Sequence, residues 1–345
     1  MFFDNLNKYK NNVALFLDQN NKIFYKDILN ISNEFKKKIK QRSLSLLISG
    51  NCYESLCGYV SLLIADSPVM ILDPDIKKND LKIIIDKFKP QYIFCSKNNQ
   101  IKITENLFDL IYSLKNFNLF EYKKKNSYQI NEKLMLLLST SGSLAEPKFV
   151  KLSINNMISN TESIISYLNL NSTDCSITTM PMSYSYGLSI INSHLISGAS
   201  IVPNTLTLVD KNFWKLYNQI KPSNLNGVPF FYEILDKIGF DRVLENKPRF
   251  ITQAGGKIEN KIFDETAQKC LQNDISFYLM YGQTEASPRI SYHKVIIEDL
   301  STNNIPIGKA VPGGEIVLRD NNGLLIKDQN IEGELIYKGK NIFGG

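Results

Sequence analysis

Hydroxyl side chains, a glycine and a lysine crowd the stretch 139–148, directly after the apolar run Leu134–Leu138. The stretch reads Ser-Thr-Ser-Gly-Ser-Leu-Ala-Glu-Pro-Lys. Backbone N–H groups, hydroxyls and one ammonium within a few residues are what an anionic polyphosphate needs to replace its hydration shell. The stretch is not a Walker A loop, because Pro147 replaces the second glycine and Phe149 replaces the hydroxyl residue that would hold magnesium. It therefore predicts a phosphate-binding loop of another kind.

Two further loops follow predicted strands. Ala254–Gly256 comes almost directly after Phe250–Thr252, and Tyr281–Glu285 comes after the apolar, β-prone run Ser276–Met280. Ligands of open α/β sheets bind at the rim formed by the carboxyl ends of the strands. We therefore expect all three loops at one ligand site.

Alternating strands and helices must position these loops. In the first part of the chain, strand-like runs at Leu44–Ser49 and Val69–Leu72 flank the helix-like stretch Tyr53–Ala65, and a second helix-like stretch, Leu81–Phe88, precedes the strand-like Tyr92–Phe94. This rhythm is typical of a doubly wound α/β sheet. The polar, lysine-rich segment that follows it, 121–133, predicts a linker between two lobes.

The second predicted lobe begins with the strand at Leu134. Ser153 is a candidate N-cap for an amphipathic helix, and Gly198 is a candidate C-cap for a helix over Gly187–Ile196. The residues Asn226–Pro229 predict a turn. Beyond Pro288, short strands with Gly or Asn turns indicate a β-rich region.

The composition excludes several classes of protein. The chain has 345 residues with a formal net charge of +6, but its lysines are scattered or in short runs without a stacked aromatic or arginine pattern, so no nucleic-acid site is predicted. Its five cysteines include no Cys-x-x-Cys pair, which indicates reduced thiols and no zinc site. The start has no signal-peptide pattern, and the longest apolar region, 59–72, is too short to span a bilayer. We expect a cytoplasmic protein without a membrane partner.

The motifs resemble those of the adenylate-forming (AMP-binding) superfamily of acyl- and aryl-CoA synthetases, luciferases and peptide-synthetase adenylation domains. That family's phosphate loop, Thr-Ser-Gly-Ser/Thr-Thr-Gly-x-Pro-Lys-Gly-Val, is matched at Thr140, Ser141, Gly142, Ser143, Pro147, Lys148 and Val150. Its Tyr-Gly-x-Thr-Glu motif is matched without a gap at Tyr281–Glu285. Weaker similarity lies at 181–188, 255–256, 307–313 and 333–335.

The resemblance implies a fold and three regions. The fold would be α/β, with two doubly wound lobes in an αβαβα arrangement and a small distorted β-barrel region, as in the N-terminal domain of an adenylate-forming enzyme. The first lobe would span residues 1–130, the second lobe with the ATP-binding motifs 131–287, and the β-rich region 288–345.

The resemblance also implies roles for single residues. The β- and γ-phosphates of ATP would be held by the phosphate loop, namely Thr140, Ser141, Gly142, Ser143 and Lys148. Gly255 and Gly256 would let backbone lie against the adenine, while Tyr281 would stack on its other face. The cofactor-binding set also includes Gly282 and Gln283, Thr284 would bind the α-phosphate, and Glu285 would ligate Mg²⁺. The expected catalytic residues are Lys148, Thr284 and Glu285.

The implied activity is ATP-dependent conversion of a small carboxylic acid to acyl-AMP with release of pyrophosphate. The acyl group would then pass to a thiol, either of coenzyme A or of the phosphopantetheine on an acyl or peptidyl carrier protein. Tyr184, Tyr186 and Phe230 are candidates for the walls of the acid pocket. Tyr184 stands where many acyl-CoA synthetases have histidine. His194 and His293 are expected to be structural or surface residues.

Departures from the family pattern leave an alternative open. Leu144, Ala145 and Phe149 replace a hydroxyl residue and two glycines of the phosphate loop, and the sequence ends where family members would reach the ribose-binding aspartate, a hinge and a C-terminal domain with a catalytic lysine. We therefore expect a fragment 1–345 to be impaired. The alternative is a non-catalytic nucleotide-binding or scaffold module. An unrelated phosphotransferase is disfavoured, because no aspartate base or second metal carboxylate is recognisable.

Overall fold

The computed structural model describes residues 2–100, 103, 107–124, 128–139, 148–300, 305–328 and 330–344. Its strands are β1 Val13–Phe16, β2 Lys22–Phe24, β3 Ser45–Ile48, β4 Val69–Leu72, β5 Tyr92–Ser96, β6 Phe108–Leu114, β7 Phe117–Tyr122, β8 Leu134–Ser139, β9 Phe149–Ser153, β10 Cys175–Ile177, β11 Ser200–Val202, β12 Asn224–Gly227, β13 Phe250–Gln253, β14 Ser276–Tyr281, β15 Ser291–Lys294, β16 Lys309–Ala310, β17 Gly314–Arg319, β18 Leu325–Ile326 and β19 Glu334–Gly339. Its α-helices are α1 Tyr25–Lys38, α2 Tyr53–Ile64, α3 Lys78–Phe88, α4 Lys97–Gln100, α5 Ile154–Leu168, α6 Ser185–Ser197, α7 Lys211–Ile220, α8 Pro229–Ile238, α9 Asp241–Leu244 and α10 Asn260–Gln272.

A seven-stranded sheet contains the strands predicted for the first lobe. Its order is β6-β7-β5-β3-β4-β8-β9, and β5, β3, β4 and β8 are parallel. Successive residues of β3 point to opposite faces, so Leu47 belongs to the core on one side of the sheet, and Leu46 and Ile48 belong to the core under α3 on the other. Burial of both faces explains the unbroken aliphatic runs of these strands.

A nine-stranded sheet carries the second set of strands. Its order is β16-β15-β14-β13-β12-β10-β11-β1-β2, with parallel pairing from β14 to β1 and antiparallel strands at both ends. The helices α1, α2, α5 and α6 share one hydrophobic core with both sheets, and α7, α8 and α10 cover the outer face of the nine-stranded sheet. The α3 helix covers the outer face of the seven-stranded sheet. These layers confirm the predicted αβαβα arrangement.

Sheet membership differs from the predicted order along the chain. The strand β8 was expected to begin the second lobe, but it pairs in parallel with β4 of the seven-stranded sheet, so this expectation is wrong. Its apolar side chains fit either buried sheet, and only the pairing decides between them. Conversely, β1 and β2 near the start of the chain join the nine-stranded sheet through β11. The boundaries at 130 and 287 as limits of folding units stay a prediction.

The predicted turn at Asn226–Pro229 is also wrong. Residues Asn224–Gly227 form the buried strand β12, and Pro229 begins α8. Asparagine and glycine favour turns when their polar groups face water, but here the amide of Asn226 donates to Ser176 Oγ on the neighbouring strand at 2.9 Å. Proline is well suited to the first turn of a helix because it needs no N–H partner there.

The predicted linker at 121–133 is also wrong. Its first two residues belong to β7, and it leads to β8 of the same seven-stranded sheet, so it does not join two lobes. Its lysines and polar side chains are those of a surface connection within one sheet.

The predicted helix caps and the β-rich region agree with the structure. Ser153 caps α5 by accepting from the backbone N–H of Asn156 at 3.1 Å, and Gly198 ends α6 in the left-handed conformation. Beyond Pro288, β17, β18 and β19 form a three-stranded antiparallel sheet. Among the described residues, no helix is long and apolar enough to cross a membrane.

Candidate functional site

A cavity of about 920 Å³ opens at the carboxyl ends of β13 and β14. These two strands are neighbours in the nine-stranded sheet, so the loops that follow them meet at one edge, as expected from the sequence. The cavity is lined by the first residues of α6 and by these loops, namely Tyr184–Tyr186, Gln253–Ile258, Leu279–Glu285, Pro288, Arg289 and 305–307.

Gly255 forms one wall of this cavity with bare backbone. Its φ of +83° lies in the left-handed region, and a Cβ atom there would lie 2.6 Å from Oη of Tyr184. At Gly256, an added Cβ would lie 3.2 Å from Cγ of Pro229. Gln253 fixes the loop by donating from Nε2 to the carbonyl oxygen of Gly256 at 2.8 Å. The two glycines thus let the backbone of the loop pass close to Tyr184 and Pro229 at the wall of the cavity.

Two tyrosine rings are exposed at the same cavity. Tyr281 at the end of β14 is 41% exposed, and Tyr184 at the N-cap of α6 is 37% exposed. Large aromatic side chains that remain exposed beside a cavity offer a face for stacking. The structure therefore brings Tyr281, Gly255 and Gly256 together, as the adenine-binding roles require.

Gly282 permits the tight turn after β14. A Cβ atom at this position would lie 1.7 Å from the carbonyl oxygen of Pro288, so no other residue fits. The turn leads into the 3-10 helix Thr284–Ala286, and Oγ1 of Thr284 donates to Oγ of Ser185 at 3.2 Å. This bond ties the turn to the start of α6 and fixes a hydroxyl at the edge of the cavity.

Glu285 also lines the cavity and is only half-buried. Its backbone carbonyl accepts from the N–H of Phe343 at 2.9 Å, and among the described residues no ion pair engages its carboxylate. The part of the chain that the structure describes contains no group of three or more His, Cys, Asp and Glu that could hold a metal. A single carboxylate completed by water and substrate phosphates is the mode in which Mg²⁺ commonly binds beside a nucleotide, so Glu285 fits its predicted role.

Most of the predicted phosphate loop cannot be placed. Thr140, Ser141, Gly142 and Ser143 lie outside the described residues. Lys148 is exposed, precedes β9 and is not among the residues that line the cavity. The strand β9, which follows Lys148, contacts the 3-10 helix Thr284–Ala286.

The three candidates for the acid pocket lie in different environments. Tyr186 is 2% exposed, and burial raises the pKa of its phenol, which shares a hydrogen bond of 2.6 Å with Oγ1 of Thr252. It lines the cavity, as does Tyr184. Phe230 is 63% exposed in the first turn of α8 and does not line the cavity, so the structure does not bring it together with the two tyrosines.

Two asparagines that no sequence motif marks hold the backbone of the 284–289 turn. Nδ2 of Asn341 donates to the carbonyl oxygens of Ala286 and Arg289, both at 2.6 Å, and Oδ1 of Asn160 accepts from the N–H of Arg289 at 3.2 Å. These bonds link the 284–289 turn to α5 and to the segment after β19. Isolated asparagines carry no sequence signal of such long-range contacts, which span 52–129 residues of sequence separation.

Comparisons with known proteins agree with this geometry. A family model described as AMP-binding enzyme matches residues 2–345. The chain is 30% identical over 223 residues to the medium-chain fatty-acid–CoA ligase of Escherichia coli, covering 62% of this chain and 37% of that protein. It is 22% identical over 327 residues to the D-alanine–D-alanyl carrier protein ligase of Staphylococcus aureus, covering 89% of this chain and 64% of that protein. The chain thus spans less than two thirds of either relative.

A solved structure shows the same fold. The N-terminal subdomain of Klebsiella oxytoca NpsA, in complex with 3-hydroxyanthranilyl-AMSN, superposes with a TM-score of 0.80 at 15% identity. The superposition covers 100% of this chain and 87% of that one. The described architecture is therefore that of an N-terminal adenylation subdomain.

Proposed function

This chain belongs to the family of AMP-binding enzymes, and from that premise we propose that it activates a carboxylic acid with ATP to give acyl-AMP and pyrophosphate. The observation that carries the proposal is the meeting of two surfaces in one cavity. The glycine loop after β13 lines one part of the cavity together with Tyr281, and the turn after β14 adds a hydroxyl and a carboxylate, those of Thr284 and Glu285.

The reaction is a displacement at phosphorus. A carboxylate oxygen of the acid attacks the α-phosphorus of ATP, the bond from that phosphorus to the bridging oxygen breaks, and pyrophosphate leaves. Because both reactants are anionic, catalysis depends on positioning and on neutralisation of charge. Gly255, Gly256 and Tyr281 hold the adenine. The Thr284 hydroxyl has one proton, so it turns from Ser185 Oγ to donate to the α-phosphate when ATP binds.

The phosphates need positive charge on their other side. Lys148 and the phosphate loop supply an ammonium and hydroxyls to the β- and γ-phosphates. Glu285 would hold Mg²⁺, which would supply further positive charge at the phosphates. Gly282 and Gln283 keep the backbone between Tyr281 and Thr284 in the shape that these contacts require.

The position of the acid is proposed from the lining of the cavity, and the acceptor from the names of similar proteins. Tyr184 and Tyr186 line the cavity beside Thr284 and its partner Ser185, so the acid lies between these rings and the α-phosphate. The acceptor is a thiol, of coenzyme A or of a carrier-protein phosphopantetheine, and the names of the two ligases to which the chain is similar support both. We propose that the reaction takes place in the cytoplasm.

Exchange of radiolabelled pyrophosphate into ATP tests the proposal. The protein at its full natural length is assayed with a panel of carboxylic acids, and Glu285→Gln and Lys148→Ala are each expected to reduce exchange at least about 100-fold. Glu162→Gln on α5 and Lys151→Ala on β9 are matched controls. Both side chains are exposed, and neither residue belongs to the predicted phosphate loop or to the residues that line the cavity. Exchange with none of the acids, or equal activity of the Glu285 and Glu162 variants, would contradict the proposal.

A second candidate is a nucleotide-binding module without turnover. The replacement of two loop glycines by Ala145 and Phe149 favours it, because alanine at a position that needs positive φ costs roughly 1 kcal/mol or more. Calorimetry with ATP and Mg²⁺ separates the candidates. Tight binding without exchange supports the module, and the absence of any binding contradicts both.

A further inference from the structure

Arg289 places a buried positive charge at the wall of the cavity. The residue is 2% exposed and lines the cavity, four positions after Glu285. Its guanidinium carbon lies 4.4 Å from the centre of the Tyr186 ring, and one terminal nitrogen donates to Oγ of Ser189 at 3.1 Å. The charged group thus lies against α6, next to the predicted acid pocket.

The backbone of Arg289 is held on both sides. Its N–H donates to Oδ1 of Asn160, and its carbonyl oxygen accepts from Nδ2 of Asn341. The ring beneath the guanidinium is equally fixed, because Oη of Tyr186 bonds to Thr252, whose hydroxyl donates to Oδ1 of Asn226 at 2.6 Å. A buried charge held this firmly is pre-organised to bind a partner.

The described residues use only part of the hydrogen-bonding capacity of this guanidinium, through the hydroxyls of Ser189 and Tyr167. Nε of Arg289 is buried without a hydrogen-bond partner among the described residues, and so is Nδ2 of the adjacent Asn160. No carboxylate in the described part of the chain forms an ion pair with this guanidinium. By contrast, Arg249 pairs with Asp174 at 2.7 Å. Arginine stays protonated in proteins, so the charge cannot be relieved by loss of a proton.

The neighbouring phenols do not supply a negative charge. Burial raises the pKa of Tyr186 and of Tyr167, and the charge of Arg289 opposes but does not cancel this rise. Both phenols therefore remain neutral near pH 7. A cation over an aromatic face gains about 0.5–2 kcal/mol, which is less than the several kcal/mol that a buried, unpaired ion costs. An anion that binds from the cavity offsets the free-energy cost of this buried charge.

We propose that Arg289 selects an acid that carries a second anionic group, a small dicarboxylic acid. One carboxylate lies near Thr284 and reacts, and the other accepts hydrogen bonds from the guanidinium of Arg289 over the Tyr186 ring. The inference rests on the proposed function, since it names the class of acid that this cavity activates. It makes Arg289 the specificity-determining residue for the far end of the substrate.

Matched acids test the inference in the exchange assay. Succinate and butyrate have the same number of carbon atoms and differ in one terminal carboxylate. For the full-length protein, kcat/KM with succinate is expected to exceed that with butyrate about 100-fold, because a site built for a charged hydrogen bond rejects the analogue that lacks it. In Arg289→Met this preference should be lost while butyrate is still used, and Arg289→Lys should retain part of it.

Controls separate specificity from stability. Arg242→Met, on the exposed face of α9, should leave the preference unchanged. If circular dichroism shows that Arg289→Met does not fold, the ratio of kcat/KM for succinate and butyrate in the wild type still tests the inference. A wild-type preference for butyrate overturns the inference, and so does an unchanged succinate preference in a folded Arg289→Met variant.

The exchange assay also separates an error in the proposed function from an error in this inference. If no acid supports exchange, the proposed reaction is wrong, and calorimetry with succinate alone then tests the anion site. Binding by the wild type that Arg289→Met weakens at least tenfold supports the site, whereas equal binding by both, or binding by neither, overturns it.

Discussion

The seven-stranded and the nine-stranded sheet differ in the types of side chain that they bury. The strand β4 of the seven-stranded sheet is Val-Met-Ile-Leu, buried throughout. In the nine-stranded sheet, equally buried strands carry polar side chains, with Asn224 and Asn226 on β12 and Thr252 and Gln253 on β13. The large cavity opens at the edge of the second sheet. Polar residues are thus concentrated in the sheet that has to support a site.

The buried polar groups form a connected network. Nδ2 of Asn226 donates to Ser176 and to Oδ1 of Asn224, both at 2.9 Å, and its Oδ1 accepts from Thr252. Thr252 in turn bonds to Tyr186 at the cavity. Buried polar groups are costly unless they are bonded, and once bonded they specify one arrangement. We infer that the apolar sheet supplies stability, whereas the polar sheet also fixes the position of Tyr186.

Glycines at the edges of the two sheets give the sharpest test of this difference. Gly282→Ala, after β14, places a Cβ atom 1.7 Å from the carbonyl oxygen of Pro288 and must displace the turn. Since a displacement of about 1 Å near reacting groups costs on the order of 100-fold in rate, we expect at least that loss in pyrophosphate exchange. The control is Gly50→Ala after β3, where an added Cβ meets nothing within 4 Å. Equal exchange activity of the two variants would show that the edge of the nine-stranded sheet is no more important for the reaction than the edge of the seven-stranded sheet.

Interior substitutions compare the two sheets directly. Asn226→Leu leaves three buried groups without one partner each, at a cost of about 3 kcal/mol in the free energy of unfolding. The groups are the hydroxyls of Ser176 and Thr252 and Oδ1 of Asn224. Leu47→Ala in β3 should cost about the same through a cavity. Only Asn226→Leu should also lower kcat/KM, about tenfold. Urea unfolding and exchange kinetics measure both effects, and a similar loss of kcat/KM in Leu47→Ala would argue against a special role for the polar sheet.

A buried histidine makes the polar sheet sensitive to acid. Nε2 of His194 lies 2.9 Å from Nδ2 of Asn224, and burial lowers the pKa of His194 to about 4. The pKa in the unfolded chain is about 6.5, so between these values only the unfolded state takes up the proton, and stability falls as the pH falls. From pH 7 to pH 5 the loss should be about 2 kcal/mol.

Urea unfolding at the two pH values measures this loss. His194→Gln, whose side chain does not titrate, should lack this part of the pH dependence. An identical pH dependence in the wild type and in His194→Gln would show that the buried imidazole is not responsible.

The sequence predicted the apolar sheet better than the polar one. A short aliphatic run such as Val69–Leu72, between polar residues, favours a buried strand. By contrast, Asn224–Gly227 has the composition of a turn. It forms a strand because it pairs with β10 and β13. Tyr281–Glu285 was recognisable because its residue types are set by local geometry, as the fit of Gly282 illustrates. The role of Arg289 was not recognisable in the sequence, because nothing about a single arginine indicates that its side chain is buried without a carboxylate partner.

Nucleotide affinity tests the central claim, that the cavity at β13 and β14 binds ATP. Calorimetry with ATP and Mg²⁺ is run on Tyr281→Ala and on Phe230→Ala. Each variant removes one exposed aromatic ring, and of the two residues only Tyr281 lines the cavity. Loss of stacking is expected to weaken binding about tenfold in Tyr281→Ala and to leave Phe230→Ala within about twofold of the wild type. Unchanged affinity in Tyr281→Ala, or an equal loss in both variants, would contradict the account.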